Sequence, residues 1–273
     1  MTVQQSTNVS GPNAGELGIG RRIFHRVAQF RGAVELGWYD FINGFRRSYV
    51  GPLWATAQMG LWIATLTLIF GDRMEGGVAD YAVYVALGFF AWDFISWSLG
   101  EGPGHLASKG AVLKNIPVAL SQVTVRRVSY LVFRSAFQLP VPIVVVGAFG
   151  DWPGASMLLL APAIILFLLS SYACLTICGV IGIYFRDFEF LMPTLTRFLF
   201  FMTPIFWTAD SGLRKLISTY NPFSYYIELV REPMTGGVGS PLAWMIVTGL
   251  SVSGFAFAIF LQQRFRTGII YRI

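Results

Sequence analysis

The chain has 273 residues, of which 55% are hydrophobic and only 12% are charged, and its formal net charge is +6. Soluble domains carry about 25% charged residues and cover their surface with polar groups, so this composition argues against a soluble globular protein. The apolar residues form several long runs, which indicates an integral membrane protein. The two cysteines and two histidines lack the spacing of a metal site, and no metal site is predicted.

The N-terminal part divides into a polar and an amphipathic segment. Residues 1–20, MTVQQSTNVSGPNAGELGIG, predict a disordered cytoplasmic tail rather than a cleaved signal peptide. In residues 21–51, apolar side chains recur at helical spacing: Ile23, Val27, Phe30, Val34, Trp38, Phe41 and Phe45. This pattern predicts an amphipathic helix that lies in the lipid headgroup layer or docks on another protein, and the sequence leaves both open.

The rest of the chain, 52–273, is predicted to contain six membrane-spanning helices, because each apolar run is long enough to cross about 30 Å of hydrocarbon. The predicted spans are 53–70, 81–99, 128–149, 157–184, 188–207 and 241–261. Of the 20 Lys and Arg residues, fourteen fall on one side of these spans, four on the other, and two within them. Cytoplasmic loops are enriched in Lys and Arg, so both termini are predicted to be cytoplasmic.

Two basic segments lie at predicted boundaries of the membrane. In GFRRSYVGPLWATAQ (44–58), Arg46 and Arg47 are predicted to hold the headgroup boundary, and Gly51-Pro52 ends the in-plane helix where the first span begins. Arg186 and Asp187 lie before the fifth predicted span. They are interpreted either as boundary anchors, with the acid favouring the start of the next helix, or as part of a cytoplasmic gate.

Residues 208–240 are too interrupted for a complete span. Asn221-Pro222 and Pro233 divide them into two short helices, predicted over 211–220 and 224–231. The apolar run YYIELV argues against a solvated loop, so the segment is predicted to be an external re-entrant helical pair. Glu228 and Arg231 are three residues apart and are candidates for an ion pair.

Three segments, in order, resemble the ABC-2 family of transporter membrane subunits, and most closely its branch that exports lipid-linked polysaccharides such as O-antigen, capsule and teichoic acid. They are RRSYVGPLWATAQ (46–58), YFRDFEFLMPTLTRFLFFMTPIFW (184–207) and NPFSYYIELVREPM (221–234). The resemblance covers roughly residues 23–270. It implies an all-α, type V exporter-like fold in the inner membrane of a bacterium.

The resemblance also implies a homodimer that works with two copies of a separate ATPase subunit. No G-x-x-x-x-G-K-[ST] motif is present, so ATP and Mg²⁺ are expected on that partner, with no cofactor on this chain. The expected substrate is a lipid-linked polysaccharide, carried on undecaprenyl diphosphate; no enzymatic reaction and no nucleic acid are expected. Loop 101–120 is expected to be the coupling segment, with His105, Lys109, Lys114 and Asn115 towards the ATPase. The alternative is an ordinary solvated loop.

Aromatic residues make up 16% of the chain and concentrate near the predicted span ends. Interfacial and core packing explains many of them. By resemblance, a subset is expected to line the channel at the dimer interface, where rings stack on the apolar faces of sugars and let a polymer slide. The predicted lining residues are Tyr81, Tyr84, Phe89, Trp92, Phe200, Phe201, Phe206, Trp207, Tyr225 and Tyr226.

Two rival functions remain. An ABC-2 exporter of a small drug or lipid would have a narrow path without aromatic lining. A membrane-bound transferase would need clustered acids or histidines near one membrane face, and the sequence has no such cluster. Asp93 and Arg197 lie inside predicted spans, where ionisable groups form ion pairs or line a polar path. Arg134, in the third span, is expected to extend its side chain to the headgroup boundary.

Overall fold

A computed structural model describes residues 19–73, 76–108, 119–210 and 212–272, and these ranges contain helices and connecting segments but no β-strand. Residues 1–18 of the predicted tail lie outside them. The described helices are α1 (Ile19–Asn43), α2 (Leu53–Phe70), α3 (Gly77–Gly100), α4 (Gly104–Ala107), α5 (Leu120–Gln138), α6 (Pro140–Phe149), α7 (Leu160–Tyr184), α8 (Asp187–Met202), α9 (Gly212–Tyr220), α10 (Pro222–Met234) and α11 (Pro241–Arg272).

Five helical segments of the described chain are long and apolar enough to cross a membrane. They are Leu53–Phe70, Gly77–Gly100, Leu120–Phe149, Ala155–Tyr184 and Pro241–Arg264. The third combines α5 and α6 and begins at Leu120, earlier than the predicted start at residue 128. The prediction of an all-α, multi-pass membrane protein is therefore confirmed.

The fifth predicted span, 188–207, is only partly helical. α8 has 16 residues and ends at Met202, so it rises about 24 Å, less than the hydrocarbon thickness of about 30 Å. Thr203 adopts an extended conformation (φ −102°, ψ 137°), as expected for the residue before a proline, here Pro204. Residues 203–207 then continue as bends, which we call the irregular segment. A count of six continuous spans stays a prediction.

α1 docks on α5 through a narrow face of small and aromatic residues. Ala33, Gly37 and Phe41 are buried, whereas Phe30 of the predicted apolar stripe is 59% exposed. A Cβ atom on Gly37 would stand 2.6 Å from the carbonyl oxygen of Arg126. Only glycine permits so close a crossing. The buried face of α1 is thus rotated about the helix axis relative to the predicted stripe, and Phe41 belongs to both.

The predicted helical pair is present, with its break at Asn221. The Asn221 side chain accepts a hydrogen bond from the backbone N–H of Phe223 (3.0 Å), and Pro222 occupies the first helical position, so α10 starts there. α9 has no buried residue, whereas α10 packs within the bundle core. The hydroxyl of Tyr226 lies 2.6 Å from that of Ser170, ten residues into α7, so α10 reaches the middle of the bundle.

Glu228 and Arg231 of α10 do not pair with each other. Glu228 Oε1 accepts a hydrogen bond from the backbone N–H of Ser240 at 2.6 Å, just before α11 begins. Arg231 Nη2 donates to the carbonyl oxygens of Tyr84 and Pro204, both at 3.2 Å. The candidate ion pair is therefore wrong, because each side chain has a partner on a different element.

The α1–α5 crossing gives a direct test of the fold. Gly37→Leu is expected to destabilise α1 docking by about 1–3 kcal/mol, the usual cost of inserting atoms into a packed contact. Thermal unfolding of the detergent-solubilised protein, together with proteolysis of α1, measures the effect. Gly32→Leu is the matched control, since nothing lies within 4 Å of a Cβ atom built there. Equal behaviour of the two variants would contradict the crossing.

Candidate functional site

A chain of aromatic contacts joins α2, α3 and α8 on one side of the bundle. The Trp62 ring of α2 stacks on Phe89 of α3, with centroids 6.0 Å apart, and Phe89 meets Phe200 of α8 edge-to-face at 6.2 Å. Phe200 also stacks on Phe206 of the irregular segment at 5.4 Å. We call this side of the bundle the α2–α8 side.

Four of the predicted channel-lining aromatics are buried within the chain. Tyr81, Phe89, Trp92 and Tyr226 are each at most 9% exposed. A residue that lines a channel between two copies has to be exposed on each copy. The lining prediction is therefore wrong for these four, which act as core residues. The Tyr81 hydroxyl, for example, donates to the carbonyl oxygen of Phe206 at 2.8 Å.

The other six predicted lining residues keep some exposure, and for them the lining role stays a prediction. Phe201 is 66% exposed, and the rest are partly buried: Tyr84, Phe200, Phe206, Trp207 and Tyr225. Sequence reasoning missed Trp62 and Phe198, which are 55% and 60% exposed. Helical spacing could have indicated Phe198, because it lies three residues before the predicted Phe201 and is therefore on the same side of α8.

The exposed faces of α2 and α8 combine polar and aromatic side chains. On α8, Phe190, Thr194, Arg197 and Phe201 recur at steps of four, three and four residues, so they share one exposed face. On α2, Gln58, Trp62, Thr65 and Ile69 are exposed with the same steps. Both helices flank α3 through the aromatic contacts of Trp62 and Phe200. The α2–α8 side thus presents hydrogen-bonding groups among aromatic rings.

α11 differs from α8, because residues 241–261 contain no charged side chain, whereas α8 exposes Arg197. Its exposed residues include the large hydrophobics Leu242, Met245, Leu250, Val252, Phe257, Ile259 and Phe260. This composition suits contact with lipid. The exposed surfaces of α8 and α11 therefore differ in charge.

Asp93 of α3 pairs with Arg134 of α5 rather than with Arg197. The carboxylate oxygen Oδ2 lies 3.5 Å from Arg134 Nε, and the two side chains are 15% and 9% exposed. The Arg134 guanidinium also lies 4.0 Å from the centre of the Trp97 ring. The expectation that Arg134 extends to the headgroup boundary is therefore wrong, since its charge is neutralised inside the bundle. Arg197 is exposed.

His105 of the expected coupling segment is a buried residue. It is 6% exposed, and its Nδ1 lies 2.8 Å from the carbonyl oxygen of Gly102. Its ring packs on Gly179 of α7, where a Cβ atom would stand 2.5 Å from Cε1. The prediction that His105 faces a partner is therefore wrong. Lys109, Lys114 and Asn115 lie outside the described residues, and their role stays a prediction.

Adjacent arginines on α5 bind two other elements at the same end of the bundle. Arg126 Nε and Nη2 donate to the two carboxylate oxygens of Asp40 on α1, at 2.6 and 2.5 Å. Arg127 pairs with Glu101, which follows α3. A cavity of about 540 Å³ lies between these elements, lined in part by Asp40, Glu101, His105, Arg126, Arg127 and Glu189. α1, the start of loop 101–120 and the start of α8 therefore meet around one cavity.

The predicted gate residues lie near this end and are exposed. Arg46 and Arg47 project from the turn between α1 and α2, where Arg47 and Gly51 both have positive φ, 70° and 61°. Asp187 is the first residue of α8, where an acid favours the helix N-terminus, and Arg186 precedes it. These positions fit boundary anchors, while a gating role stays a prediction.

The Asp93–Arg134 pair is expected to be essential for stability. Asp93→Leu leaves the Arg134 charge buried without its counter-charge, which typically costs about 3–5 kcal/mol. The double variant Asp93→Leu/Arg134→Met removes both charges and should recover most of that loss. Thermal unfolding in detergent compares the three proteins. A double variant no more stable than the single one would contradict the pairing.

Burial lowers the pKa of His105 to about 4, below its ordinary value of 6.5. The unfolded chain therefore binds a proton at higher pH than the folded protein does. Above about pH 6.5, His105 is neutral in both states and should not lower the free energy of unfolding. Between pH 6.5 and 4, that free energy should fall by up to roughly 3 kcal/mol as the pH decreases. Unfolding measured at several pH values should show this loss, and His105→Gln should reduce it. If the stability of His105→Gln depends on pH as that of the unaltered protein does, the loss is not caused by protonation of His105.

Comparison with known proteins agrees with this architecture. The ABC-2 type transporter family matches residues 33–235. A protein of Myxococcus xanthus named O-antigen export system permease protein RfbA is 23% identical over 206 residues, covering 74% of this chain and 79% of that protein. A Klebsiella pneumoniae protein of the same name is 23% identical over 227 residues, covering 81% and 88%. The chain belongs to the ABC-2 type transporter family of membrane proteins.

Proposed function

We propose that this chain is the membrane subunit of an ATP-driven exporter that moves a lipid-linked, O-antigen-like polysaccharide across the bacterial inner membrane. The observation that carries the proposal is the α2–α8 side, where aromatic rings alternate with hydrogen-bonding groups. Rings offer apolar surface to the C–H faces of sugars, and scattered polar groups offer hydrogen bonds to their hydroxyls. Such a wall holds a polymer weakly enough to release it, which transport requires.

The relatives support this choice of substrate class. The Myxococcus and Klebsiella proteins are named as O-antigen export permeases, and the similarity extends over about three quarters or more of both chains. A small-molecule exporter of the same family would instead close its path around a compact ligand. The exposed Trp62, Phe198 and Phe201 of the α2–α8 side favour the wider path.

The proposal includes a homodimer in which two α2–α8 sides face each other around a two-fold axis. Closed, symmetric dimers are the commonest oligomers, and an isologous contact repeats the same surface on both copies. A path at the axis is then bounded by the mixed faces of α2 and α8. The apolar face of α11 is left to contact lipid.

Energy comes, in this proposal, from two copies of a separate ATPase subunit that binds ATP and Mg²⁺. The chain has no phosphate-binding loop of its own. The ATPase docks in the cytoplasm near loop 101–120. The ion pairs of Arg126 with Asp40 and Arg127 with Glu101 tie this loop and α1 to α5, so a movement of the docked loop also moves α1. Both termini of the chain are cytoplasmic.

Depletion of the protein in its host tests the substrate. We expect lipid-linked polysaccharide to accumulate on the inner leaflet while the cell surface loses it, because synthesis continues without export. Extraction of lipid-linked glycans, combined with surface labelling of intact cells, measures both pools. Re-expression of the unaltered protein is the control and should reverse both changes. A normal cell-surface glycan without a trapped pool would refute polysaccharide export and favour a small-molecule substrate.

A further inference from the structure

We propose that Arg197 lies in the wall of an aqueous path through the membrane and binds oxyanions carried by the transported molecule. The inference rests on the proposed export function for its substrate class, but its first step depends only on the chain's own chemistry. Arg197 belongs to the exposed face of α8 formed by Phe190, Thr194, Arg197 and Phe201. The opposite face, with Met192 and Thr196, packs on the bundle.

The depth of Arg197 excludes stable contact with hydrocarbon. It lies ten residues after Asp187, the first residue of α8, and therefore about 15 Å along the helix axis. With Asp187 at the headgroup boundary, as its interpretation as an anchor has it, that distance is half of a bilayer's hydrocarbon core, where a charged side chain facing lipid is costly. Helical side chains tilt towards the N-terminus, so the guanidinium is directed away from the nearer helix end at Met202. The exposed face therefore meets water or protein.

Among the residues that the structure describes, a second copy of this chain offers no suitable counter-charge at this depth. α2 contains no acidic residue, and Asp187 and Glu189 lie in the first turn of α8. Within the described spans, the only acid more than one turn from a helix end is Asp93, which already pairs with Arg134. Glu228 of α10 lies outside those spans and already accepts a hydrogen bond from the backbone N–H of Ser240. No hydrogen bond or ion pair of Arg197 occurs within the part of the chain that the structure describes. Water and a passing anion remain as its partners.

The chemistry of this wall selects its ligand class. A guanidinium presents planar, paired N–H donors that match carboxylate and phosphate oxygens. Thr194, one turn away on the same face, adds a hydroxyl, and Phe201 adds an aromatic surface on the other side. The ligand is therefore an oxyanion attached to a body with apolar faces. A lipid-linked polysaccharide offers two such groups, the diphosphate of its carrier and the carboxylates of acidic sugars.

Cysteine labelling tests the aqueous wall without any knowledge of the glycan. In a Cys174→Ala/Cys178→Ala background, Arg197→Cys is compared with Val252→Cys in membranes treated with a charged, membrane-impermeant thiosulfonate. Val252 is 54% exposed and lies at similar depth on the uncharged face of α11, which makes it the matched control. We expect rapid labelling at position 197 and none at position 252. No labelling at 197, or equal labelling at both positions, would overturn the proposal.

Protection of Thr194→Cys tests oxyanion binding and separates the two sources. With Arg197 intact, inorganic pyrophosphate or glucuronate at millimolar concentration should slow labelling of this cysteine several-fold. Slowing by pyrophosphate indicates the carrier diphosphate, and slowing by glucuronate indicates acidic sugars. Arg197→Gln should abolish either effect, whereas Arg197→Lys should retain part of it. Protection by neither anion, or protection that survives Arg197→Gln, would refute oxyanion binding. Because no glycan is used, these results are independent of the depletion experiment.

Discussion

Inside a bilayer, backbone groups outside a helix need hydrogen-bond partners from the protein or from water in a cavity. Pro204 ends the regular path of α8, so the carbonyl groups of the irregular segment lack helical partners. Tyr84 donates to the Trp207 carbonyl at 2.9 Å, and Arg231 donates to that of Pro204 at 3.2 Å. Gly88 leaves room for Arg231, since a Cβ atom there would meet its guanidinium. These bonds bind α8 and α10 to α3.

That arrangement positions the candidate site. α8 packs on the bundle through the buried Met192 and Thr196 and through the ring of Phe200, and the irregular segment beyond it is held by α3 and α10. The opposite face of α8, with Arg197, is left exposed. At the other end of the bundle, ion pairs link α1 and the start of loop 101–120 to α5. One end of the bundle is thus held by ion pairs, whereas the α2–α8 side exposes polar and aromatic residues.

Local sequence signals predicted much of the fold. The apolar runs around α2, α3, α7 and α11 are long and uninterrupted, so their helices follow from hydropathy alone. Asn221-Pro222 predicted the break before α10, because an Asn cap and a proline in the first turn act within a few residues, although α10 begins at Pro222 rather than at the predicted residue 224. The end of α8 at Met202 was missed, although Pro204 follows two residues later. Hydropathy averages over a window and does not register a local break in an apolar run.

Composition, periodicity and local backbone preferences are properties of neighbouring residues, so they were enough to predict the class of protein, the main spans, the helical pair and the family resemblance. Which face each helix buries depends instead on how the helices pack. The tertiary structure placed Tyr81, Phe89, Trp92 and Tyr226 in the core, made Arg134 the partner of Asp93, and buried His105. An aromatic or charged residue in an apolar run has the same local pattern whether it faces core, lipid or water. Its role depends on residues 40 or more positions away, which only the fold brings into contact.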